Sequence, residues 1–490
     1  MSLPLLGRTA DASFCRVTTG GAAVAEPALR APGAGEQYRF HFDMTKCIGC
    51  KCCEVACSEQ NNNPVEIQWR RVGELEGGIY PLAERFHLSM GCNHCLEPAC
   101  LIGCPVDAYS KDLSNGIVLH SAEICIGCQY CTWNCPYGVP QFNEERGVVG
   151  KCDMCHNRLS EGRSPACVSA CPQEAIEIEL VNIAEWRATG AFAGNAPGLP
   201  PAEHTMSTTR ITLPEGINQT LKKADYHRVR PEHPHWPLVF LLVLTQMAVG
   251  GFVTLLALGS AAPKLAFLLA TAAGHAALGF SLLHLGRPAH APRAMKMWRR
   301  SWLSREVLFF TLFAGASAAA ASAAWFGSGL LLPLHLAAVV TGLAGVVASA
   351  YIYMVPARPA WNTMRTLAEF VLTGAVLGLL TVAACGANET RLWASAAAVA
   401  QAALFAGKVV SMRRAYEFEL RQSARLLERP LRRHTAWRLG LLLLVAAPVI
   451  PAWIALPVAL GGEILGRYLF FVSVVPRNMA LSFFSGSEAA

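Results

Sequence analysis

Sixteen of the nineteen cysteines in this 490-residue chain fall into four groups of four, and every group ends in Cys-x3-Cys. A 4Fe-4S cluster needs one thiolate at each iron; a short cysteine loop can deliver three, and the fourth comes from elsewhere. In two-cluster ferredoxins the last Cys of each run binds the other cluster, so the groups should work in pairs. The pattern therefore predicts an α+β, ferredoxin-like double module with four 4Fe-4S clusters. The groups are Cys47, Cys50, Cys53 and Cys57; Cys92, Cys95, Cys100 and Cys104; Cys125, Cys128, Cys131 and Cys135; and Cys152, Cys155, Cys167 and Cys171.

Zinc and disulfide bonds are the alternatives for these cysteines. A zinc site uses two Cys pairs or Cys with His, and it gains nothing from a third nearby Cys followed by Cys-x3-Cys. No leader with a basic start and an apolar run precedes the first cysteine, so we expect reduced thiols rather than disulfides. Cys15, Cys52 and Cys385 fall outside the groups, although a shift of one residue would let Cys52 replace Cys53.

The second half of the chain is apolar enough to lie in a membrane. Hydrophobic residues make up 53% of the chain and charged residues only 15%, a balance too apolar for an ordinary soluble protein. From Trp236 onward nearly every stretch of about 20 residues is apolar, which is the length that crosses a bilayer as a helix. The pattern predicts an all-α transmembrane bundle of eight helices, over 236–259, 264–285, 305–326, 330–354, 365–385, 391–410, 439–460 and, shorter, 462–475.

These patterns divide the chain into five parts. Residues 1–36 are rich in Gly, Ala and Pro, and are predicted to form a flexible N-terminal arm. The four-cluster domain is predicted over 37–180 and a connector over 181–230. The eight-helix anchor follows over 231–480, with a C-terminal tail over 481–490.

Basic residues are distributed unevenly around the predicted helices. Sixteen Arg and Lys residues lie in loops on the side of the cluster domain, against only Lys264 and Arg391 on the opposite side. Because cytoplasmic loops are enriched in Lys and Arg, this split predicts a multi-pass protein of the inner membrane with its iron–sulfur domain in the cytoplasm. The formal net charge of +7 comes from residues beside apolar helices, where they suit anionic lipid headgroups, so no nucleic-acid partner is expected.

Several segments of the first half resemble the iron–sulfur subunit of the dimethyl sulfoxide reductase family. They are 37–47, Cys92-Asn-His-Cys95-Leu-Glu-Pro-Ala-Cys100, 135–143 and Lys151-Cys-Asp-Met-Cys155. The resemblance implies that the outer groups pair and the inner groups pair. The implied ligand sets are Cys47, Cys50, Cys53 and Cys171; Cys152, Cys155, Cys167 and Cys57; Cys92, Cys95, Cys100 and Cys135; and Cys125, Cys128, Cys131 and Cys104. A relative with a three-iron cluster, the nitrate reductase electron-transfer subunit, has Trp at the position of Cys131, so we expect no 3Fe-4S centre.

Two ionisable side chains at the ends of predicted helices are candidates for handling a quinone. His284, in Ser281-Leu-Leu-His-Leu-Gly-Arg-Pro288, ends the second helix, and Glu306, in Trp302-Leu-Ser-Arg-Glu306, begins the third. A quinol loses two protons with its two electrons, so its site needs an imidazole or carboxylate to accept protons and a cluster nearby. With residues 355–362, these segments resemble the membrane-anchor subunit of the same family, whose corresponding His and Glu serve quinol binding and oxidation.

Structural roles are the alternative for the ionisable residues of the apolar half. Glu306 could pair with Arg305 or Arg287 at the interface, and His284 could cap its helix. Haem b needs two His ligands that face each other across helices, and no such pair is evident, so no haem is expected. Two carboxylates have the spacing of an ion pair within one helix: Glu369 after Arg365, and Glu463 before Arg467. Three further groups lack an evident partner: His275, His335 and Lys408.

The sequence thus predicts a fusion of the iron–sulfur and anchor subunits of a dimethyl sulfoxide reductase-type complex. It would relay electrons between menaquinone or ubiquinone, as an exchangeable substrate, and a separate molybdopterin catalytic subunit that reduces an S- or N-oxide. The alternatives are the same relay run in reverse in a cytoplasm-facing sulfite dehydrogenase, and a non-redox anchoring protein with structural clusters. No dinucleotide fingerprint, P-loop or nucleophile elbow adds a substrate site to this chain. Membrane lipid, quinone and the molybdopterin subunit are the expected partners.

Overall fold

The computed structural model describes residues 30–78, 83–190, 192–218, 221–223 and 229–477. Residues 1–29 of the predicted arm and the whole predicted tail, 481–490, lie outside the described residues. The described chain has two parts, an α/β domain up to residue 223 and a helical bundle from Trp236.

Short strands form the framework of the α/β domain. The described strands are β1 Glu36–Asp43, β2 Arg71–Gly77, β3 Glu84–Met90, β4 Tyr109–Lys111, β5 Val118–His120, β6 Gln141–Asn143, β7 Val148–Gly150, β8 Ile176–Asn182, β9 Arg210–Thr212 and β10 Lys222–Lys223. They build two three-stranded sheets, in the orders β8-β1-β9 and β10-β2-β3, and two hairpins, β4-β5 and β6-β7. The helices between them are short, and all but the last contain or adjoin grouped cysteines: α1 Cys52–Asn61, α2 Ala99–Gly103, α3 Tyr130–Asn134, α4 His156–Ser160, α5 Ala166–Ser169 and α6 Ile183–Ala188.

The central strand β1 carries the core of the domain. Tyr38, Phe40 and Phe42 alternate along one face of it and are buried, and Gln37 and His41 on the other face are buried as well. The predicted connector, 181–230, is folded onto this domain over its described part. Strand β9 adds to the sheet of β1 and β10 to that of β2, and Trp186 is buried. The described residues between 181 and 223 therefore belong to the domain.

The second part is a bundle of antiparallel helices. They are α7 Trp236–Leu258, α8 Lys264–Leu283, α9 Trp302–Phe326, α10 Leu331–Tyr353, α11 Met364–Ala384, α12 Thr390–Arg414, α13 Phe418–Glu428, α14 Arg432–Ala446 and α15 Ala452–Val472. Of the helices in the described residues, seven are long and apolar enough to cross a membrane, namely α7 to α12 and α15. The prediction was eight.

The last two predicted spans, 439–460 and 462–475, have the wrong boundaries. The helix is interrupted at Pro448-Val-Ile-Pro451 because proline has no N–H to donate and clashes with the preceding turn. Helix α14 consequently ends at Ala446 after 15 residues, and α15 continues through the glycines at 461 and 462 where a break was predicted.

Two arginines stabilise this part of the bundle, one at the end of α14 and one between α14 and α15. The guanidinium of Arg391, at the start of α12, donates to the backbone oxygens of Val445, Ala447 and Ile450 at 2.9, 2.7 and 3.1 Å, so it satisfies carbonyls that the end of α14 leaves free. Arg438 of α14 lies against α15 where glycine makes room, because a Cβ at Gly466 would lie 2.6 Å from its Nε.

The two parts are joined by hydrogen bonds between the cysteine loops and the segment 286–304. Ser301 donates to Gly103 O at 2.7 Å, Arg287 to Ala122 O at 2.7 Å, and Arg300 to Asp107 at 3.1 Å. Some of the basic residues counted for the orientation therefore bind the iron–sulfur domain directly.

Candidate functional site

The structure brings the sixteen grouped thiols together in four sets of four. Each set combines three cysteines of one group with the last cysteine of its partner group, as the resemblance implies. The sets are Cys47, Cys50, Cys53 and Cys171; Cys57, Cys152, Cys155 and Cys167; Cys92, Cys95, Cys100 and Cys135; and Cys104, Cys125, Cys128 and Cys131. Cys53, not its neighbour Cys52, lines the pocket of the first set.

The cysteine loops direct backbone N–H groups at the sulfurs. Gly49 and Gly127 take φ angles of 70° and 69°, a conformation that glycine adopts without strain. Gly127 N then lies 3.4 Å from Cys125 Sγ, and Ala175 N lies 3.2 Å from Cys171 Sγ. Iron–sulfur loops stabilise cluster charge with such donors. The donor sets and their surroundings fit iron–sulfur clusters.

Burial changes the acidity of these thiols. It raises the pKa of Cys53, Cys95 and Cys155 to about 12, so each thiol keeps its proton near neutral pH when it has no metal. A metal ligand must be a thiolate, so metal binding would release these protons.

Arg70 is a charged residue beside the thiols that sequence reasoning missed. It is buried, its guanidinium lies 4.5 Å from the centre of the Phe40 ring, and Nη1 donates to Ser89 Oγ at 3.2 Å. Within the described residues its Nε and Nη2 have no hydrogen-bond partner. Thiols of two sets surround it: Cys53, Cys57, Cys152 and Cys167.

Glycines bring the fourth thiol set against the membrane part. Gly286 N donates to Gly127 O at 3.3 Å, and a Cβ at Gly286 would lie 2.2 Å from Gly147 O. This close approach places the ring of His284 beside the backbone of Cys128. Cys128 belongs to the set of Cys104, so that set lies at the contact between the domain and the anchor.

His284 lies in a ring of aromatic side chains. Its ring centroid is 6.3 Å from Trp133, in a stacked arrangement, and 5.7 Å from His235. Burial lowers the pKa of His284 to about 4, so the imidazole is neutral near pH 7. No described residue hydrogen-bonds to its Nε2. The group can accept a hydrogen bond or proton from a ligand at that nitrogen.

Glu306 faces the same region from the first turns of α9. It is buried, lies beside Ser349 of α10, and is within electrostatic range of Tyr130 and Tyr353. The arginines proposed as alternative partners bind elsewhere: Arg305 donates to Trp298 O and Arg299 O at 3.0 and 2.7 Å, and Arg287 to Ala122 O. Among the described residues Glu306 has no ion-pair partner.

Helix α3 connects these two groups, and sequence reasoning did not identify it. Tyr130 lies towards Glu306 and Trp133 towards His284, three residues apart on a helix that also carries Cys131. Residues at this spacing share a helix face. The sequence feature that could have identified this helix is the pair of large aromatic side chains, Tyr130 and Trp133, on either side of the ligand Cys131 in the third group.

The two predicted ion pairs within helices are wrong. Glu369 pairs with Lys408 of α12 at 3.0 Å, not with Arg365. Glu463 pairs with Arg438 of α14 at 2.9 Å, not with Arg467. The other groups that lacked an evident partner contact backbone oxygens: His275 Nδ1 lies 2.9 Å from Thr271 O of its own helix, and His335 Nε2 lies 2.8 Å from Phe252 O of α7.

Two family models match this chain. Residues 83–180 match a 4Fe-4S dicluster domain. Residues 231–412 match the anchor subunit of dimethyl sulfoxide (DMSO) reductase. The matches cover much of the α/β domain and most of the helical bundle respectively.

Curated relatives match the first part of the chain over most of their own length. A subunit of the anaerobic dimethyl sulfoxide reductase of Haemophilus influenzae is 39% identical over 180 residues, which are 35% of this chain and 86% of the relative. The corresponding subunit of the Escherichia coli K12 reductase is also 39% identical, over 34% of this chain and 85% of the relative. A subunit of the sulfite dehydrogenase of Allochromatium vinosum is 36% identical, over 28% and 67%.

Proposed function

This chain is a member of the family of dimethyl sulfoxide reductase iron–sulfur subunits, with an anchor subunit fused behind it, and we propose that it relays electrons between a membrane quinone and a separate molybdopterin catalytic subunit. It is a multi-pass membrane protein with an iron–sulfur domain. One observation carries the proposal: the thiol set of Cys128 lies directly against His284, where the iron–sulfur domain contacts the anchor. At this contact the electrons of a quinol would pass to the cluster and its protons to the neighbouring side chains.

The quinone site would lie between His284 and Glu306. The neutral imidazole of His284 accepts a hydrogen bond from a quinol hydroxyl, and Glu306 accepts a proton. Trp133 and Tyr130 of α3 line the way to the nearest thiol set. The four sets of cysteines would hold four 4Fe-4S clusters, which supply one-electron carriers when bound. No haem is needed for this relay.

The partner subunit would bind near the first thiol set, three of whose cysteines pack in a different core cluster from those of the set against the anchor. Cys50 of that set is exposed, and Ile48 and Val55 beside it are 59% and 57% exposed. Apolar side chains around an exposed cluster ligand are suited to a protein partner. Electrons would then enter or leave the chain at this face.

A quinol titration tests the relay. In the complex purified from membranes, a water-soluble quinol analogue is expected to reduce clusters with four distinct spectroscopic signals, each of the 4Fe-4S type. The measurement is electron paramagnetic resonance at poised potentials. Clusters that never exchange electrons with the quinol would support the non-redox anchoring function instead.

The iron–sulfur domain is proposed to face the cytoplasm. The two cations on the opposite side act as helix caps, since Lys264 donates to Trp325 O at 3.3 Å and Arg391 donates to the carbonyls at the end of α14. The excess of basic residues on the side of the domain supports the cytoplasmic orientation.

Protease accessibility tests this orientation. Protease added to intact spheroplasts is expected to spare residues 1–230, whereas the same protease added to inverted membrane vesicles should cleave them. Immunoblotting for an N-terminal tag reports the result. Cleavage in spheroplasts, with the inverted vesicles protected, would place the domain outside the cytoplasm.

A cytoplasmic orientation also favours a second candidate function, in which a substrate is oxidised and quinone is reduced. The similarity to a sulfite dehydrogenase subunit supports it. The redox state of the quinone pool in membranes shows the direction of electron flow. A sulfite-type reductant would reduce the pool, while an S- or N-oxide would oxidise it.

A further inference from the structure

Five ionisable side chains meet inside the anchor, away from His284. They come from four helices, α11, α12, α14 and α15, and three are cations while two are carboxylates: Glu369, Lys408, Arg438, Glu463 and Arg467. Arg438, Glu463 and Arg467 are at most 4% exposed. Charged groups at this depth are costly and mark function or ion pathways.

The pairs leave polar atoms that no protein group satisfies. Glu463 Oε1, Gln401 Oε1, Arg438 Nε and Nη1, and Arg467 Nε have no hydrogen-bond partner among the described residues. Buried polar groups without protein partners are usually satisfied by ordered water. The cavity that these groups line offers about 30 Å³ to the centres of water molecules, and one water needs about 10–15 Å³ measured in this way. The cavity is therefore suited to hold a short file of about two ordered waters.

The cavity leads to the side of the membrane that carries the iron–sulfur domain. Its lining includes Lys408 near the end of α12, Leu427 of α13 and Ser473 just beyond α15, all on that side. Towards the opposite side an apolar cluster borders it. The buried residues of this cluster are Val243, Val376, Leu377, Leu380, Ala394, Ala398, Val445, Ala455 and Ala459.

Tyr353 connects the cavity with the quinone site. Its ring centroid lies 5.7 Å from Trp133 of that site, and 5.9 and 5.4 Å from Phe370 and Phe470. The Arg467 guanidinium lies 4.0 Å from the centre of the Phe370 ring, and its Nη2 donates to Gln246 Oε1 at 2.9 Å. Tyr353 and Arg467 therefore pack against the same ring, and this contact brings the quinone site next to the charged cluster.

We propose that this cavity is the proton route between the quinone site and the iron–sulfur side of the membrane, with Glu463 at its inner end and the Glu369–Lys408 pair at its mouth. The inference rests on the proposed function. Oxidation of one quinol yields one quinone, two electrons and two protons. The electrons leave singly through the thiol-bound clusters, and the protons pass by Glu306 and Tyr353 to water in the cavity. The protons leave the cavity on the side of the iron–sulfur domain.

Proteoliposomes containing the full chain with its catalytic subunit test this route. The probe is a quinol analogue added without an S- or N-oxide, so that the oxidised clusters are the only electron acceptor and no released proton is consumed. Cluster absorbance is recorded together with a membrane-impermeant pH dye on one side. Protons are expected only on the side of the iron–sulfur domain. Glu369→Gln and Glu463→Gln should each slow cluster reduction and proton release at least tenfold. The matched control is Glu389→Gln, an exposed carboxylate at the start of α12, which should behave as wild type.

Loss of the Glu463 charge could also destabilise the bundle by leaving Arg438 unpaired. The double variant Glu463→Gln, Arg438→Gln removes both charges, and its thermal unfolding and iron content show whether the fold is intact. Slow proton release from a folded double variant supports the route. Wild-type proton release in this variant and in Glu369→Gln, or protons on the opposite side, would overturn it. If the wild-type clusters are not reduced by quinol at all, the proposed function itself fails.

Discussion

Replacing Glu306 by Gln is expected to slow quinol-driven reduction of the clusters by about 100-fold or more, without loss of iron. A positioned general base contributes about 10²- to 10⁴-fold to a rate, and Gln keeps the size and hydrogen bonding of Glu306 while removing its ability to take a proton. Stopped-flow absorbance of the clusters after mixing with a quinol analogue measures the rate, and iron analysis measures cluster content.

Glu389→Gln is the matched control, since Glu389 is exposed at the opposite end of the bundle. Dithionite, which delivers electrons without a quinone site, should reduce the clusters of both variants equally. Unchanged quinol kinetics in Glu306→Gln would assign this carboxylate a structural role beside Ser349, and the proton acceptor would have to be sought elsewhere, with His284 as the next residue to replace.

The grouping of the thiols could be predicted from the sequence because ligand chemistry imposes it locally. Three closely spaced cysteines on one loop can reach one cluster, and the fourth position follows from pairing of groups. Cys52 illustrates the limit. Spacing alone left it as a substitute for Cys53, and only the start of α1 shows which side chain is directed into the pocket.

Hydropathy located the first six membrane helices because each is an apolar run bounded by polar or helix-breaking residues. It misplaced the last two because it scores length and apolarity, not backbone hydrogen bonding. Pro448 and Pro451 lie in an apolar stretch and end a helix all the same. The glycines at 461 and 462 do not end one, since α15 uses the space left by Gly462 to pack against α14.

Contacts between distant segments were beyond sequence reasoning. His284 and Glu306 could be proposed from their positions at helix ends, but Trp133 is far from His284 in the sequence and reaches it only through the glycine contact of Gly127 with Gly286. The ion pairs failed in the same way. Spacing along one helix suggested Arg365 and Arg467, whereas packing supplied Lys408 and Arg438 from other helices.

Arg70 is a further residue whose contacts could not be predicted from the sequence, and its charge affects the redox properties of the domain. Its charge is held among Cys53, Cys57, Cys152 and Cys167, which belong to the first and second thiol sets. Gly91 makes room for it, because a Cβ there would lie 3.2 Å from Nη2. A fixed positive charge favours the reduced, more negative state of any cluster bound nearby. Arg70 is therefore expected to raise the reduction potentials of the clusters bound by these two thiol sets.

Replacing Arg70 by Gln should lower the midpoint potentials of these two clusters and leave the other two unchanged. A unit charge about 6 Å away in an effective dielectric constant of about 20 changes a potential on the order of 100 mV. Redox titration followed by electron paramagnetic resonance resolves the four centres, and Arg70→Lys should restore most of the loss. Arg39→Gln is the control, because Arg39 is paired with Glu179 and lies over Trp186, away from the thiols. Equal changes in all four centres, or none in the first two, would contradict this role for Arg70.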